Sequence, residues 1–198
     1  MVNIKICGLS RAEDISAVNE ALPDYIGFVF APSRRRVDEN TAVMLKEQLD
    51  PRIKAVGVFV NQDISFIAGL KEIIDIAQLH GDEDSDYVKR VREHLPVIKA
   101  VSVGNTLPTL PDGADYLLFD TLSQQRGGTG MAFDWGLLRE YNGAPYFLAG
   151  GLTVQNVLKA VKALNPFCVD VSSGVETNGV KDAGKIHKFV RSVRSPQI

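Results

Sequence analysis

The sequence is short of cysteine: Cys7 and Cys168 are the only two in 198 residues. Two thiols are too few for a disulfide scaffold, and a reducing cytoplasm is the simplest setting for them. Net charge is small as well. With 22 Lys and Arg against 24 Asp and Glu the chain carries −2, which gives no general electrostatic footprint for nucleic acid or a membrane surface. No apolar run approaches the roughly 20 residues of a membrane span. Charge runs, low-complexity stretches and linkers are also missing, and with them any sign of a second domain. The first residues pass straight into a β-rich run, so no signal peptide is read there. No His, Cys, Asp or Glu spacing resembles a metal site. The first loop lacks the G-x-G-x-x-G pattern of a dinucleotide fold.

What is present is strongly ordered. The chain is 45% hydrophobic and 23% charged, as expected of one globular domain with a sizeable core. Short β-rich runs fall at residues 4–7, 25–30, 54–60, 76–79, 97–101, 116–120, 146–149 and 168–171. Most are nearly continuous apolar segments, the pattern of strands covered on both faces. Between them, apolar residues recur at the i, i+3, i+4, i+7 spacing of amphipathic helices. The sets are Ile15, Val18 and Leu22; Ala42, Leu45 and Leu49; Ile67, Leu70 and Ile74; Val88, Val91 and Leu95; Val154, Val157, Leu158 and Val161; and Ile186, Phe189, Val190 and Val193. Ser10 and Glu13 fit a capping box before the first helix, and Thr153 fits an N-cap before the fifth set. Two segments depart from the pattern. Pro108 and Pro111 argue against a regular helix over residues 106–113. Residues 124–130 form a Gly-rich loop before a short helix near residues 135–141.

Strand alternating with helix implies a parallel sheet with right-handed crossovers. About eight such units predict an α/β chain in which residues 1–198 form a single-domain (β/α)8 TIM barrel. The rival is an open doubly wound sheet, which usually has fewer strands.

Chemistry-bearing residues fall at the strand ends. Ala149-Gly150-Gly151-Leu152 follows the seventh run, and Val171-Ser172-Ser173-Gly174-Val175 ends the eighth. Glycines let backbone amides approach an anion, and a helix N-terminus adds a favourable dipole. Loops after strands seven and eight are where barrels commonly hold phosphate. Cys7 ends the first run before Gly8; alone, it reads as a small core residue. Cys168 begins its strand, so the two thiols are expected at opposite barrel ends, on the order of 10 Å apart. That exceeds the Cα separation of about 7 Å that a disulfide allows, and two free thiols are expected.

Lys5-Ile6-Cys7-Gly8, Gly27-Phe28-Val29-Phe30, Gln78-Leu79-His80-Gly81, Leu118-Phe119-Asp120-Thr121, Gly127-Gly128-Thr129-Gly130, Phe133-Asp134-Trp135, Ala149-Gly150-Gly151-Leu152 and Val169-Asp170-Val171-Ser172-Ser173-Gly174-Val175-Glu176 occur in this order. Together they resemble the phosphoribosylanthranilate isomerase family of tryptophan biosynthesis, over essentially the whole chain. The resemblance implies an Amadori rearrangement of N-(5-phosphoribosyl)anthranilate to 1-(2-carboxyphenylamino)-1-deoxyribulose 5-phosphate, without metal or organic cofactor. It implies Cys7 as general base, Asp120 as general acid and Arg36 as the anthranilate-binding residue, with Arg34 and Arg35 as alternatives in the run 33–36. It puts the phosphate on Gly150, Gly151, Ser173 and Gly174. The expected partner is a small phosphorylated sugar–anthranilate, with no nucleic acid and no membrane, for a cytoplasmic monomer or homodimer.

The residue types suit that reaction. Opening the ribose ring requires a proton on the ring oxygen, which a carboxylic acid supplies if its surroundings keep it protonated. Asp120 follows an apolar run, and partial desolvation raises a carboxyl pKa. A thiolate removes the proton on C2 once nearby positive charge favours it. An arginine fork matches the anthranilate carboxylate. His80 reads first as a structural hydrogen-bonding residue, Asp170 as a brace for the last loop or its neighbours, and Asp134 and Trp135 as the start and packing of a helix. Two related phosphate-binding barrels, indole-glycerol-phosphate synthase and the ribonucleotide isomerase of histidine biosynthesis, fit less well. The latter shows half-barrel repeats and an Asp in place of this Cys. A non-catalytic sugar-phosphate module would need neither Cys7 nor Asp120.

Overall fold

The structure is a computed structural model, and it describes residues 1–121 and 134–195. Eight parallel strands close a barrel in sequence order, with the last pairing the first. They are β1 (Asn3–Cys7), β2 (Tyr25–Val29), β3 (Lys54–Phe59), β4 (Ile76–Leu79), β5 (Val97–Val103), β6 (Tyr116–Thr121), β7 (Tyr146–Leu148) and β8 (Cys168–Val171). Among the described residues the helices are α1 (Ala12–Ala21), α2 (Glu39–Glu47), α3 (Ile64–Gly69), α4 (Ser85–Arg92), α5 (Val157–Leu164) and α6 (Ala183–Arg194). A small hairpin of β9 (Glu176–Thr177) and β10 (Val180–Lys181) follows β8, and single 3₁₀ turns lie at Trp135–Leu138 and Ser173–Val175. No described helix is long and apolar enough to cross a membrane.

The strand residues alternate between two cores, which is why the runs read as continuously apolar. Ile4, Ile6, Ile26 and Phe28 point outward and pack with helix residues such as Ile15, Val18, Ile186 and Phe189. Tyr25, Val56, Ile76, Ile98, Leu118, Phe147 and Cys168 point inward and fill the barrel. Phe147 meets Tyr25 and Tyr116 edge to face, at 5.5 and 5.7 Å between ring centroids. Fully burying side chains of this size contributes about 1.5–3 kcal/mol each. The lower barrel is therefore a solid plug, and the polar groups on inward positions collect near the C-terminal ends of the strands.

Every expected strand is present, its ends within two residues of the reading from sequence. The proline-containing segment after β5 carries no helix, and the segment near Trp135 is the 3₁₀ turn, with Asp134 Oδ1 accepting from Gly136 N at 2.8 Å. Two helix starts need correction. The box at α1 is built by Asp14, not by Ser10 and Glu13. Arg11 is the N-cap, and Asp14 Oδ2 accepts from the amides of Ser10 at 3.0 Å and Arg11 at 3.2 Å. Asp14 is third inside the helix from that cap and buried, whereas Glu13 points to solvent. The second correction is at α5, which starts at Val157 with Asn156 at the cap; Thr153 instead gives its amide to Asn156 Oδ1 at 2.8 Å. Starting there, the helix buries Val157, Ala160 and Val161 and leaves Leu158 exposed. The Gly-rich loop of residues 124–130 and Phe133 lie outside the described residues.

Asn3 is the register partner of Cys168. That places Cys168 at the N-terminal end of the barrel and Cys7 at the C-terminal end, and both thiols are free.

Candidate active site

Cys7 closes β1 and faces inward, 9% exposed. The chain then turns at Gly8, whose φ of +81° suits glycine. The amides of Gly8 and Leu9 both donate to Gly27 O, at 2.9 and 3.1 Å. Strand periodicity puts Lys5 on the same inward face. It is fully buried, its Nζ donates to Asp170 Oδ2 on β8 at 2.8 Å, and its positive charge acts on the Cys7 thiol. Burial pushes the Cys7 thiol up. Lys5 pulls it down, Asp170 pushes it up and Lys181 pulls it down, and the balance lies above the ordinary 9.0. Burial works most strongly against the Lys5 charge, but Asp170 and Cys7 together outweigh it and raise the ammonium well above its usual range.

The arginines after β2 divide into two groups. Arg34 donates to Glu176 Oε2 at 2.7 Å, and Arg35 donates to both oxygens of Glu176, at 2.7 and 3.0 Å. Lys181 adds a third cation at 2.8 Å, and it also donates to Ser172 O at 2.9 Å. Burial opposes the charge on Glu176, yet the hydrogen bonds from Arg35 and Lys181 outweigh it and hold the carboxyl below its usual 4.5. The Arg36 backbone bridges to Val29, and its exposed guanidinium makes no ion pair among the described residues. Thus, among the described residues, Arg34 and Arg35 are held in ion pairs and Arg36 is not.

Asp120, at the end of β6, is half-buried. Its Oδ1 accepts from the Thr121 amide at 2.7 Å, and its Oδ2 lies 3.5 Å from His80 Nε2. His80 Nδ1 is in turn 3.0 Å from Gln78 Nε2. His80 therefore connects a buried amide to the carboxyl rather than serving the scaffold alone.

The glycine loops pack against this rim. Gly150 and Gly151 have φ of +80° and +68°. A Cβ on Gly150 would stand 2.3 Å from Thr121 Oγ1 and 3.0 Å from Asp120 Oδ1. One on Gly174 would stand 1.9 Å from Leu152 O, so the loops after β7 and β8 touch backbone to backbone. Ser173 and Gly174 form the 3₁₀ turn, and Ser172 Oγ donates to Cys7 O at 3.1 Å. Among the described residues, no cluster of three or more His, Cys, Asp and Glu could hold a metal ion.

The structure thus brings Cys7, Asp120, Gly150, Gly151, Ser173 and Gly174 to one barrel mouth, with Arg36 on the adjoining loop. Spacing rules do not find Lys5, Glu176 or Lys181. Lys5 had a signal: two residues before Cys7 on a strand, a lysine shares the thiol's face. Asp170 braces β1 through Lys5.

Fold and site together define the class, a (β/α)8-barrel isomerase working through proton transfer. The family profile for N-(5'phosphoribosyl)anthranilate (PRA) isomerase matches residues 4–192, and the chain belongs to that family. It is 54% identical over 200 residues to the N-(5'-phosphoribosyl)anthranilate isomerase of Endomicrobium trichonymphae, covering 98% of this chain and 100% of that one. The crystal structure of the Thermus thermophilus phosphoribosyl anthranilate isomerase superposes with a TM-score of 0.89 at 35% identity, covering 99% of this chain and 100% of that one. A phosphoribosyl anthranilate isomerase in complex with reduced 1-(o-carboxyphenylamino)-1-deoxyribulose 5-phosphate superposes with a TM-score of 0.83 at 32% identity, over 98% of this chain and 99% of that one.

Proposed function

We propose that Cys7 and Asp120 are the base and acid of the rearrangement of N-(5'-phosphoribosyl)anthranilate in this barrel. The chain is an isomerase of tryptophan biosynthesis. The observation that carries the assignment is that each glycine-bearing loop is built onto one of the two proton-transfer residues. The loop after β7 packs on Asp120 through Gly150, and the loop after β8 is tied to the Cys7 carbonyl through Ser172. A phosphate held by Gly150, Gly151, Ser173 and Gly174 therefore sets the sugar between the two.

Asp120 gives a proton to the ribose ring oxygen, the ring opens, and C1 becomes an iminium. Cys7 as thiolate takes the proton from C2, leaving an enolamine. The enolamine gains a proton at C1 and loses the one on O2 to give the ketone. Burial disfavours the thiolate in the free site. The iminium supplies opposite charge, so the thiolate form is most favoured when its substrate is ready. Arg36, with no ion-pair partner among the described residues where Arg34 and Arg35 are held by Glu176, clamps the anthranilate carboxylate. The steps use no metal or organic cofactor. The whole of residues 1–198 acts as one catalytic domain, in the cytoplasm, as a monomer or homodimer, on a small molecule and not on nucleic acid.

The test is turnover of freshly made phosphoribosylanthranilate, followed by loss of anthranilate fluorescence. Cys7→Ala and Asp120→Ala are each expected to lower kcat at least about 100-fold while retaining binding of a phosphate ligand. A near-normal rate in either variant refutes its assigned role.

A further inference from the structure

Lys5 takes no part in the steps above, yet its ammonium is fully buried inside the barrel. Comparable inward positions of the same barrel carry Tyr25, Val56, Ile98 and Phe147. An apolar residue there would fill the space without a desolvated charge, and replacing buried ion pairs by apolar groups is often neutral or stabilising. Stability therefore does not account for the pair. Its surroundings point elsewhere. Lys5 Nζ lies 2.8 Å from Asp170 Oδ2, while Asp170 Oδ1 is buried with no hydrogen-bond partner among the described residues. Lys5 is thus Asp170's compensation, and Asp170 fixes where the ammonium sits. The same ammonium shares the inward face of β1 with Cys7, two residues further on, and its charge favours the thiolate.

We propose that Lys5 is a positioning residue for the base: held by Asp170, and on the same inward face of β1 as Cys7, its ammonium supplies the fixed positive charge that a thiolate needs inside the barrel. The inference rests on Cys7 being the base. The charged groups acting on the sulfur are Lys5 from β1, Asp170 from β8 and Lys181 from the hairpin after it. From β2 the neighbour is Gly27, which brings no charge. Both cations are paired, Lys181 with Glu176 and Ser172 and Lys5 with Asp170, and of the two Lys5 acts more strongly on the thiol. Lys5 favours the thiolate and Asp170 opposes it, with Lys5 the stronger of the two. A pair acting only as scaffold has no such directional signature.

The experiment is the pH dependence of native Cys7 alkylation by iodoacetamide in a Cys168→Ala background, with kcat and KM measured alongside. Lys5→Met is expected to slow alkylation at least tenfold at pH 8 and to lower kcat at least tenfold, with KM within about twofold. Asp170→Asn is expected to move alkylation the other way, toward lower pH. Folded variants that leave the profile unmoved, or shift it in the same direction, overturn the proposal. If Lys5→Met alone fails to fold, Lys5→Met/Asp170→Leu decides, because it removes both charges together. Slowed alkylation and lowered kcat in this double variant support the proposal, and wild-type values overturn it. Near-normal turnover in Cys7→Ala would sink the base assignment instead, and the alkylation shifts stand or fall without it.

Discussion

Gly27 gives the Cys7 side chain its room. The two are register partners on β2 and β1, and a Cβ on Gly27 would stand 2.7 Å from the sulfur and 3.1 Å from the Cα of Cys7. The contact is with the proposed base itself and not with a flexible surface group. Gly27→Ala is therefore expected to lower kcat by about 100-fold through displacement of the thiol, at a stability cost of about 1–3 kcal/mol. Steady-state kinetics beside urea denaturation checks this. An alanine variant with wild-type kcat would show that the sulfur has slack.

The three consecutive arginines should behave differently. Arg36→Ala is expected to raise KM by about 10- to 100-fold, the value of a charge-assisted hydrogen bond to a carboxylate. Arg34→Ala should change KM less than about threefold, since its Glu176 partner keeps Arg35 and its own side chain is 58% exposed. Arg35→Ala should lower the thermal midpoint more than Arg34→Ala does. The same KM for all three variants would remove the special place of Arg36.

Glu176 should make stability pH-dependent at the acid end. Its carboxyl is held below its usual 4.5 in the folded protein, so the unfolded chain binds its proton first as pH falls. The stabilisation is complete above 4.5 and disappears as pH drops through the lower folded value. Glu176→Gln is expected to cost about 3 kcal/mol at neutral pH, leaving Lys181 buried beside Arg35 without an anion. The gap between the two proteins should close in acid. Urea denaturation across a pH series measures it, and a gap independent of pH would contradict the assignment.

The thiols should titrate unequally. Cys168 is fully buried in the lower barrel, and burial pushes its thiol well above 9.0. Two thiols are expected to react with a disulfide reagent in denaturant, but only Cys7 in the native state. Native reaction at Cys168 would mean that the lower plug opens.

The sheet was readable because its strands are covered on both faces, so each appears as an uninterrupted apolar run. The helix starts were less so. At α1 two adjacent carboxylates, Glu13 and Asp14, compete for the cap, and burial of Asp14 decides it. At α5 the side chain of Asn156 takes the Thr153 amide, the helix starts past it, and Leu158 lies on the solvent side. The mouth residues Cys7, Asp120, Gly150 and Ser173 stood out at strand ends. Glu176 did not, because it is 142 residues from Arg34 and 141 from Arg35, and no local spacing links them. His80 was legible only in part: its place beside Gln78 follows from strand periodicity, but its approach to Asp120 depends on barrel closure.

The Arg35–Glu176 tie also bears on the size of ligand the mouth accepts. Arg35 crosses directly over Gly8, where a Cβ would stand 2.5 Å from its Cδ, and ends on a carboxylate beyond β8. The loop carrying Arg36 and the turn carrying Ser173 and Gly174 are thereby fastened into one piece. On the proposed reading of Arg36 as the carboxylate clamp and of Ser173 and Gly174 as the phosphate seat, they act as the jaws of a caliper whose opening is set by the protein before any ligand arrives. A molecule with an anion at each end is then measured by the distance between them: one carbon too few leaves a jaw empty, and one too many forces an anion past its seat.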